Sequence, residues 1–188
     1  MPKMLILASA SPRRAKLLRA IGLDFAVRVS HAAEVTEGLP RTIVSENALT
    51  KARAIADDPN ALVIGADTIV VLDGAVFGKP VDAADAARML TALSSRTHEV
   101  YTGVCVLDAA TGHSAADVSV TRVTFVDILP DEIRQYVATG DPLDKAGAYG
   151  IQGMARMFVE SIEGNWDGVM GLPTSIVRKL LHSVGYCW

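Results

Sequence analysis

Apolar and polar positions along the chain form short blocks that predict strands and helices in alternation. Two wholly apolar runs have strand length, Met4–Ala8 and Ala61–Ala66, and the second leads directly into Asp67. Three further predicted strands show two-residue alternation: Phe25–Val29, Glu99–Leu107 and Ala116–Val126. Ile69–Leu72 and Ala75–Phe77 flank an Asp73-Gly74 pair, which is typical of a tight β-hairpin turn.

Five other segments carry apolar residues at helical spacing. They run from Pro12 to a stop at Gly22, over about Ile43–Ala56, Asp82–Leu93 and Pro130–Thr139, and from just after Gly171-Leu172-Pro173 to about Val184. Because helices and strands interleave and the central hairpin adds an antiparallel pair, the pattern predicts an α/β fold with a mixed sheet. No repeat or linker interrupts residues 1–188, so we expect a single domain.

The composition narrows the class of protein. The chain has 188 residues, of which 50% are hydrophobic, and a formal net charge of -3, which argues against a protein devoted to the nucleic-acid backbone. Its two cysteines, Cys105 and Cys187, are far apart, which excludes a disulfide scaffold and predicts a reducing, cytoplasmic setting. No apolar run reaches membrane-spanning length, and Met4–Leu7 is too short for the core of a signal peptide.

The stretch Leu5–Arg14 predicts an anion site. A strand leads into two serines, and a helix then begins at Pro12, with Ser11 suited to its N-cap position. The free N–H groups and positive dipole end of a helix start suit an anion, and Arg13 and Arg14 add donors that match phosphate oxygens. The alternative is a solvated first turn. Two arginines lie unfavourably at the positive end of a helix dipole, which favours a bound anion.

Two carboxylates are candidates for chemistry. Asp67 is predicted at the C-terminal end of a buried strand, where open α/β sheets place their ligand crevice. A carboxylate there can bind a divalent cation or take a proton from an attacking water, and the alternative is an aspartate that caps a turn. Glu34 lies in a polar loop and gains interest only if it meets Asp67. Thr68 is ambiguous, because a β-branched residue in a strand needs no functional explanation.

Other polar residues leave alternatives open. Lys51 is either a solvated helix residue or a ligand at the edge of its helix, and Lys79, in Gly78-Lys79-Pro80, suits a phosphate or a structural turn. Gln152, in the glycine-rich stretch Lys145–Gly153, offers the donor and acceptor that reading a base edge requires. The same stretch also fits a tightly packed turn. The four histidines lack metal-site spacing, and neither a nucleophile elbow nor a P-loop is present.

These segments together resemble the Maf family of nucleoside triphosphate pyrophosphatases. The matching segments, in chain order, are Ser9–Arg14, Lys51-Ala52, Gly65–Thr68, Lys79-Pro80, Lys145–Gly153 and Gly171-Leu172-Pro173. The resemblance implies a mixed twisted sheet flanked by helices, with two lobes around a cleft, similar to inosine triphosphate pyrophosphatases. It also implies cleavage of a nucleoside triphosphate between the α and β phosphates with a divalent metal cation, Mg²⁺ or Mn²⁺.

The resemblance further implies roles for individual residues. Asp67 would be the general base and, with Glu34, a metal ligand. The implied substrate-binding residues are Ser9, Arg14, Lys51 and Lys79 for the phosphates and Arg13, Thr68 and Gln152 for base selection. The form Ala148–Gly153 looks like the branch that prefers dTTP and UTP, with modified pyrimidine triphosphates as further candidates. The family implies a homodimer. The mildly acidic composition and the lack of a membrane-spanning run predict a nucleotide substrate without nucleic-acid or membrane partners.

The alternative hypothesis is a nucleotide-binding regulator of cell division or septum formation with little catalysis. The presence of both Glu34 and Asp67 favours an enzyme, because a sensor needs no residue that activates water. Two positions depart from the family pattern. Ala33 stands where an acidic residue is common, and Trp166 stands where a tyrosine is common.

Overall fold

The structure is a computed structural model that describes residues 3–186, so Cys187 lies outside the described part. The strands are β1 (Met4–Leu7), β2 (Ala26–Val27), β3 (Ala61–Leu72), β4 (Ala75–Phe77), β5 (Thr97–Asp108), β6 (Ser114–Phe125) and β7 (Val159–Glu163). The helices are α1 (Pro12–Ala20), α2 (Pro40–Arg53), α3 (Ala83–Leu93), α4 (Pro130–Ala138), α5 (Trp166–Val169) and α6 (Thr174–Ser183). Short 3-10 turns occur at Asp141–Asp144, Ala146–Ala148 and Met154–Phe158. The predicted α/β class is confirmed.

All seven strands join one mixed sheet of order β2-β1-β3-β5-β6-β7, and β4 also pairs with β3. β1 is parallel to both of its neighbours, whereas every other pair is antiparallel. Since β5 occupies one edge of β3, β1 and β4 share the other. β1 pairs with β3 only as far as Ile64, and β4 pairs from Val70 onward. Residues 65–69, called here the β3 gap, therefore have no partner strand on that edge.

Side chains alternate between the two faces of β3 and separate the molecule into lobes. On one face, Leu62, Ile64 and Ala66 pack in a cluster with α1 and α6. Farther along the same face, Val70 and Leu72 pack in a second cluster with α3 and α4. The predicted two lobes thus meet at the β3 gap. The opposite face is covered by α2. Because successive side chains of a strand point to opposite faces, Asp67 and Thr68 lie on opposite sides of the sheet.

Helix α2 lies very close to the sheet because glycines face it. A Cβ added to Gly65 would lie 2.0 Å from the carbonyl oxygen of Ala48, and one added to Gly103 would lie 2.4 Å from that of Val44. Gly103 is also the register partner of Asp67 across β5. The helix can therefore bring its inward side chains directly against Asp67.

The structure corrects several predicted boundaries. β3 does not end before Asp67 but continues to Leu72, so Asp67 lies in mid-strand rather than at a strand end. The predicted strand Phe25–Val29 shortens to Ala26–Val27, both exposed, and β7 was not predicted because its polar sequence alternates weakly. Ser11 does occupy the N-cap of α1, but its side chain makes no capping bond there. None of the described helices has the length and hydrophobicity needed to cross a bilayer.

Candidate active site

A cavity of about 600 Å³ lies at the β3 gap, between the two lobes. Eight of the nine residues predicted for the site line it: Ser9, Arg13, Arg14, Glu34, Lys51, Asp67, Thr68 and Lys79. Gln152 does not. Its side chain is exposed beyond Ile151, which is the last lining residue of that stretch. Asp67 does not end its own strand, but it lies just past the point where the neighbouring strand β1 stops, and a crevice forms there as predicted.

Both carboxylate oxygens of Asp67 accept hydrogen bonds from α2. Lys51 Nζ donates to Oδ1 at 2.6 Å, and Asn47 Nδ2 donates to Oδ2 at 2.9 Å. Asn47 and Lys51 are one helical turn apart, so they project from the same face of α2. The Asp67 side chain is 9% exposed. It is a carboxylate held in a fixed orientation, with lone pairs left to accept a proton from a water molecule.

Glu34 meets Asp67 through a shared lysine. Lys51 Nζ lies 2.8 Å from Glu34 Oε1 and 2.6 Å from Asp67 Oδ1. The condition that made Glu34 a candidate in the sequence is therefore met. The two carboxylates are close enough to share one cation.

The described residues contain no cluster of three or more His, Cys, Asp or Glu side chains that could hold a metal ion alone. Glu34 and Asp67 supply two carboxylates to one point. Mg²⁺ is commonly held by one or two carboxylates together with substrate phosphates and water. The residues present therefore fit a divalent cation that binds jointly with a triphosphate.

Arg14 ties the lobes together at the floor of the cavity. Its Nε donates to the Gly171 carbonyl, Nη1 to the Ala66 carbonyl and to Ser9 Oγ, and Nη2 to Thr68 Oγ1, over 2.8 to 3.2 Å. Four of its five N–H groups are thus used by the protein. Burial lowers the pKa of its guanidinium from the ordinary value, and the nearby Asp67 carboxylate opposes that shift.

The hydroxyl groups beside Arg14 form a directed chain. Thr102 Oγ1 donates to the Gly168 carbonyl at 2.8 Å, which uses its only proton. In the 3.0 Å contact between Thr68 and Thr102, the donor must then be Thr68. Thr68 can therefore accept a hydrogen bond from a ligand but has no proton left to donate. Ser9 differs, because its Oγ accepts from Arg14 and from the Ser11 amide and keeps its proton.

Two other cations remain available to a ligand. Arg13 is 28% exposed and lies 3.9 Å from an Asp144 carboxylate oxygen, which is a weak contact. Lys79 is exposed after β4, and within residues 3–186 no hydrogen bond or ion pair engages its ammonium group. The cavity is lined by five cationic side chains and three carboxylates, although the whole chain carries a net charge of -3. Its lining is therefore suited to a polyanion.

Residues within Lys145–Ile151 form a packed wall of the cavity. Lys145 Nζ contacts the carboxylates of Asp141 and Asp144 at 2.9 and 2.7 Å, as well as the Asp141 carbonyl. Gly147, with φ at +67°, lies against the Val70 side chain, so its lack of a Cβ is used by the protein itself. The packed-turn alternative thus describes Gly147, whereas Gly153 has open space around its Cα.

Sequence reasoning missed Asn47. Its signal was a polar residue four positions before Lys51, on the inward side of a predicted helix whose other inward residues were apolar. The structural role of Tyr149, which lines the cavity beside Gly150, was also missed. Its hydroxyl lies 2.8 Å from His98 Nε2, and burial raises the pKa of that hydroxyl.

Comparison with known proteins places these features in a family context. The family model described as Maf-like protein matches residues 4–184. A dTTP/UTP pyrophosphatase of Moorella thermoacetica is 52% identical over 184 residues, covering 96% of this chain and 95% of that protein. Proteins with the same name are 50% identical in Koribacter versatilis (96% and 94% covered) and 43% identical in Dictyoglomus thermophilum (99% and 98% covered).

Proposed function

The chain belongs to the Maf-like protein family, and from this premise we propose that it hydrolyses dTTP and UTP to the nucleoside monophosphate and pyrophosphate. Modified pyrimidine triphosphates are included as candidate substrates. The observation that carries the proposal is the convergence of Glu34 and Asp67 on Lys51 beside a cationic cavity. Such a site places a proton acceptor, Asp67, next to cationic side chains that can bind a triphosphate.

We propose that Asp67 is the general base. It accepts a proton from a water molecule whose oxygen forms a bond to the α phosphorus. The bond from that phosphorus to the oxygen bridging to the β phosphorus breaks, and its electron pair leaves with pyrophosphate. Lys51 and Arg13 line the cavity, where their positive charges would stabilise the negative charge that develops on the phosphates.

Glu34 and Asp67 would hold a divalent cation, for which we propose Mg²⁺ or Mn²⁺. When bound, the cation would polarise phosphate oxygens and neutralise part of their charge. Lys51 already bonds both carboxylates, so it would keep them together while the nucleotide enters.

The remaining substrate contacts are assigned by what each group still offers. Ser9 keeps a hydroxyl proton and Arg14 keeps one N–H for phosphate oxygens, and exposed Lys79 provides an ammonium group. Thr68, as an acceptor only, suits a donor on the ligand. We assign Gln152, which is exposed and follows the lining residue Ile151, to the base edge of a pyrimidine.

The test is pyrophosphate release from dTTP, UTP, CTP, dGTP and ATP, with and without Mg²⁺ or Mn²⁺. We expect metal-dependent release that is fastest with dTTP and UTP. Asp67→Asn should lower kcat by about 10²–10⁴-fold, the usual contribution of a general base, while nucleotide binding persists. Nucleotide binding without turnover by the parent protein would instead support the regulator of cell division.

We also propose that the enzyme acts in the cytoplasm, as a homodimer, on free nucleotides rather than nucleic acid. The buried free thiol of Cys105 supports the cytoplasmic setting, and the localised positive charge of one cavity supports a free nucleotide as ligand. The homodimer is proposed from the family resemblance. Light scattering after gel filtration measures the mass. A mass of one chain would contradict the dimer.

A further inference from the structure

Asn47 is an unexpected residue at its position in α2. It lies in the interior of the helix and is 2% exposed. Asparagine is unfavourable inside helices, and burying an amide without hydrogen-bond partners is costly. Its presence therefore requires compensating contacts.

The Asn47 amide makes three such contacts. Nδ2 donates to Asp67 Oδ2 and to the Val35 carbonyl, both at 2.9 Å, and Oδ1 accepts from the Val35 amide at 2.7 Å. Exchanging the amide oxygen and nitrogen would place an oxygen against two oxygens, so the partners fix one orientation. Both Nδ2 protons are used, one toward each neighbour.

The segment around Val35 has few other attachments. Residues 28–39, called here the Glu34 segment, contain neither helix nor strand. Across the described residues 3–186, the backbone of positions 29–38 is tied to the rest of the fold by hydrogen bonds to Asn47 alone. Glu34 is adjacent to the bonded residue. Asn47 thus fixes the backbone that carries one carboxylate and directly bonds the other carboxylate.

We propose that Asn47 is a positioning residue that holds the Asp67 carboxylate and the Glu34 segment in register with each other. This role rests on the proposed pyrophosphatase function for its catalytic consequence. Asn47 acts through Asp67 and Glu34, so its loss should affect turnover and cation binding more than nucleotide affinity. The proposed phosphate contacts from Ser9, Arg13 and Lys79 do not involve Asn47, whose bonds go to Val35 and Asp67.

The main test compares Asn47→Leu with Glu46→Leu, the same replacement at the exposed neighbouring position. Groups that orient metal ligands typically contribute 10- to 100-fold. We expect Asn47→Leu to lower kcat by about 10- to 100-fold, with KM for dTTP within about threefold of the parent. Glu46→Leu should keep both constants. A folded Asn47→Leu protein with a kcat within about twofold of the control would overturn the proposal.

A second variant covers the case in which leucine prevents folding. Asn47→Asp has nearly the same shape but loses both N–H donors and places an oxygen against Asp67. The expected result at neutral pH is again a loss in kcat with little change in KM. A rise in KM equal to the loss in kcat/KM, with kcat unchanged, would show a contact that only supports binding.

Two measurements do not depend on turnover. In Asn47→Leu, the Val35 amide should exchange with solvent faster, and Mn²⁺ should bind the complex with a non-hydrolysable dTTP analogue about 10-fold more weakly, whereas Glu46→Leu changes neither. If the parent releases no pyrophosphate but these two changes occur, the proposed function fails and the positioning role stands. If the parent is active and neither change occurs, the positioning role fails and the function stands.

Discussion

At the scale of residues, Arg13 and Arg14 show how surroundings separate two side chains that share a helical turn. Arg14 gives four N–H groups to carbonyl and hydroxyl oxygens of the protein, whereas Arg13 has only a distant contact with Asp144. The sequence predicts a substrate contact for both. The structure adds that Arg14 is also a structural cross-link.

Replacing each arginine by lysine should separate these roles. Arg14→Lys leaves several partly buried oxygens without donors, so we expect the free energy of unfolding to fall by about 2–4 kcal/mol. Arg13→Lys should change it by less than about 0.5 kcal/mol and should raise KM for dTTP. Urea unfolding and steady-state kinetics measure the two effects. Equal stability losses in both variants would contradict the distinction.

His98 gives the molecule a pH dependence. The residue is 1% exposed, and burial lowers the pKa of its imidazole from 6.5 to about 4. Between those values the unfolded chain binds a proton that the folded protein does not. The free energy of unfolding should therefore fall as the pH drops from about 6.5 to 4, and this contribution is constant above that range.

Between pH 7 and pH 5, the His98 contribution amounts to about 2 kcal/mol. His98→Gln keeps a polar group near Tyr149 but cannot be protonated, so its stability should decline less over this interval. His113→Gln, on an exposed turn, serves as the matched control. Urea unfolding at both pH values provides the comparison. Parallel declines in His98→Gln and the parent would refute the assignment.

At the scale of elements, the close packing of α2 against β3 and β5 determines the site. An alanine at Gly65 would bring a methyl group to 2.0 Å from a backbone carbonyl, so the whole helix would have to move. That helix carries both Asn47 and Lys51. Packing and catalysis are therefore coupled through one interface.

Gly65→Ala should destabilise the fold by about 3 kcal/mol or more, at the upper end of overpacking effects. The folded fraction should also have a lower kcat, because Asn47 and Lys51 move away from Asp67. Gly78→Ala, at a glycine with open space around it, should alter stability by less than about 0.5 kcal/mol. Thermal and urea unfolding measure the stability of both variants, and steady-state kinetics measure kcat. A stable, fully active Gly65→Ala protein would show that α2 can retreat without consequence.

At the scale of the whole molecule, three long strands connect the lobes. β3, β5 and β6 have 12 residues each, and side chains of β3 and β5 contribute to the core clusters on both sides of the cavity. The single-domain prediction stays a prediction, and these shared strands support it. A ligand in the cleft should then stabilise both lobes together.

Calorimetry of the Asp67→Asn protein tests that expectation. One unfolding transition is expected, and dTTP with Mg²⁺ at 100 times its Kd should add about 2.7 kcal/mol of stability. For a chain of this size, that corresponds to roughly 5–10 °C in Tm. dGTP at the same concentration should produce a smaller shift. Two transitions, of which only one responds to dTTP, would show independent lobes.

Local patterns in the sequence were sufficient for much of the fold. The inward face of α3, formed by Ala86, Met89, Leu90 and Leu93, is buried as its spacing predicts. Asp73-Gly74 forms the predicted hairpin turn, with both residues at positive φ. These features depend on neighbours close in the chain, which is why pattern analysis finds them.

Nonlocal contacts could not be predicted in this way. Asp67 seemed to end a strand because a charged residue follows an apolar run, but pairing with Gly103 continues the strand through it. Asn47 acquires its role from Val35 and Asp67, which are 12 and 20 positions away. The Thr68 hydroxyl proton is used in a hydrogen bond to Thr102, because Thr102 in turn donates to Gly168, and both partners lie in other elements. Such information lies in the tertiary structure.

The length of the β3 gap also sets the spacing between β1 and β4 along β3. The last residue of β3 that pairs with β1 is Ile64 and the first that pairs with β4 is Val70. At roughly 3.4 Å per residue, these two docking points are about 20 Å apart along the strand. Loops elsewhere, such as the turn at Gly112, can change length without altering that span. One residue inserted or deleted within the gap would change it and turn Val70 away from its core. During evolution, the number of residues between Ile64 and Val70 should therefore stay fixed while the surface turns gain and lose residues.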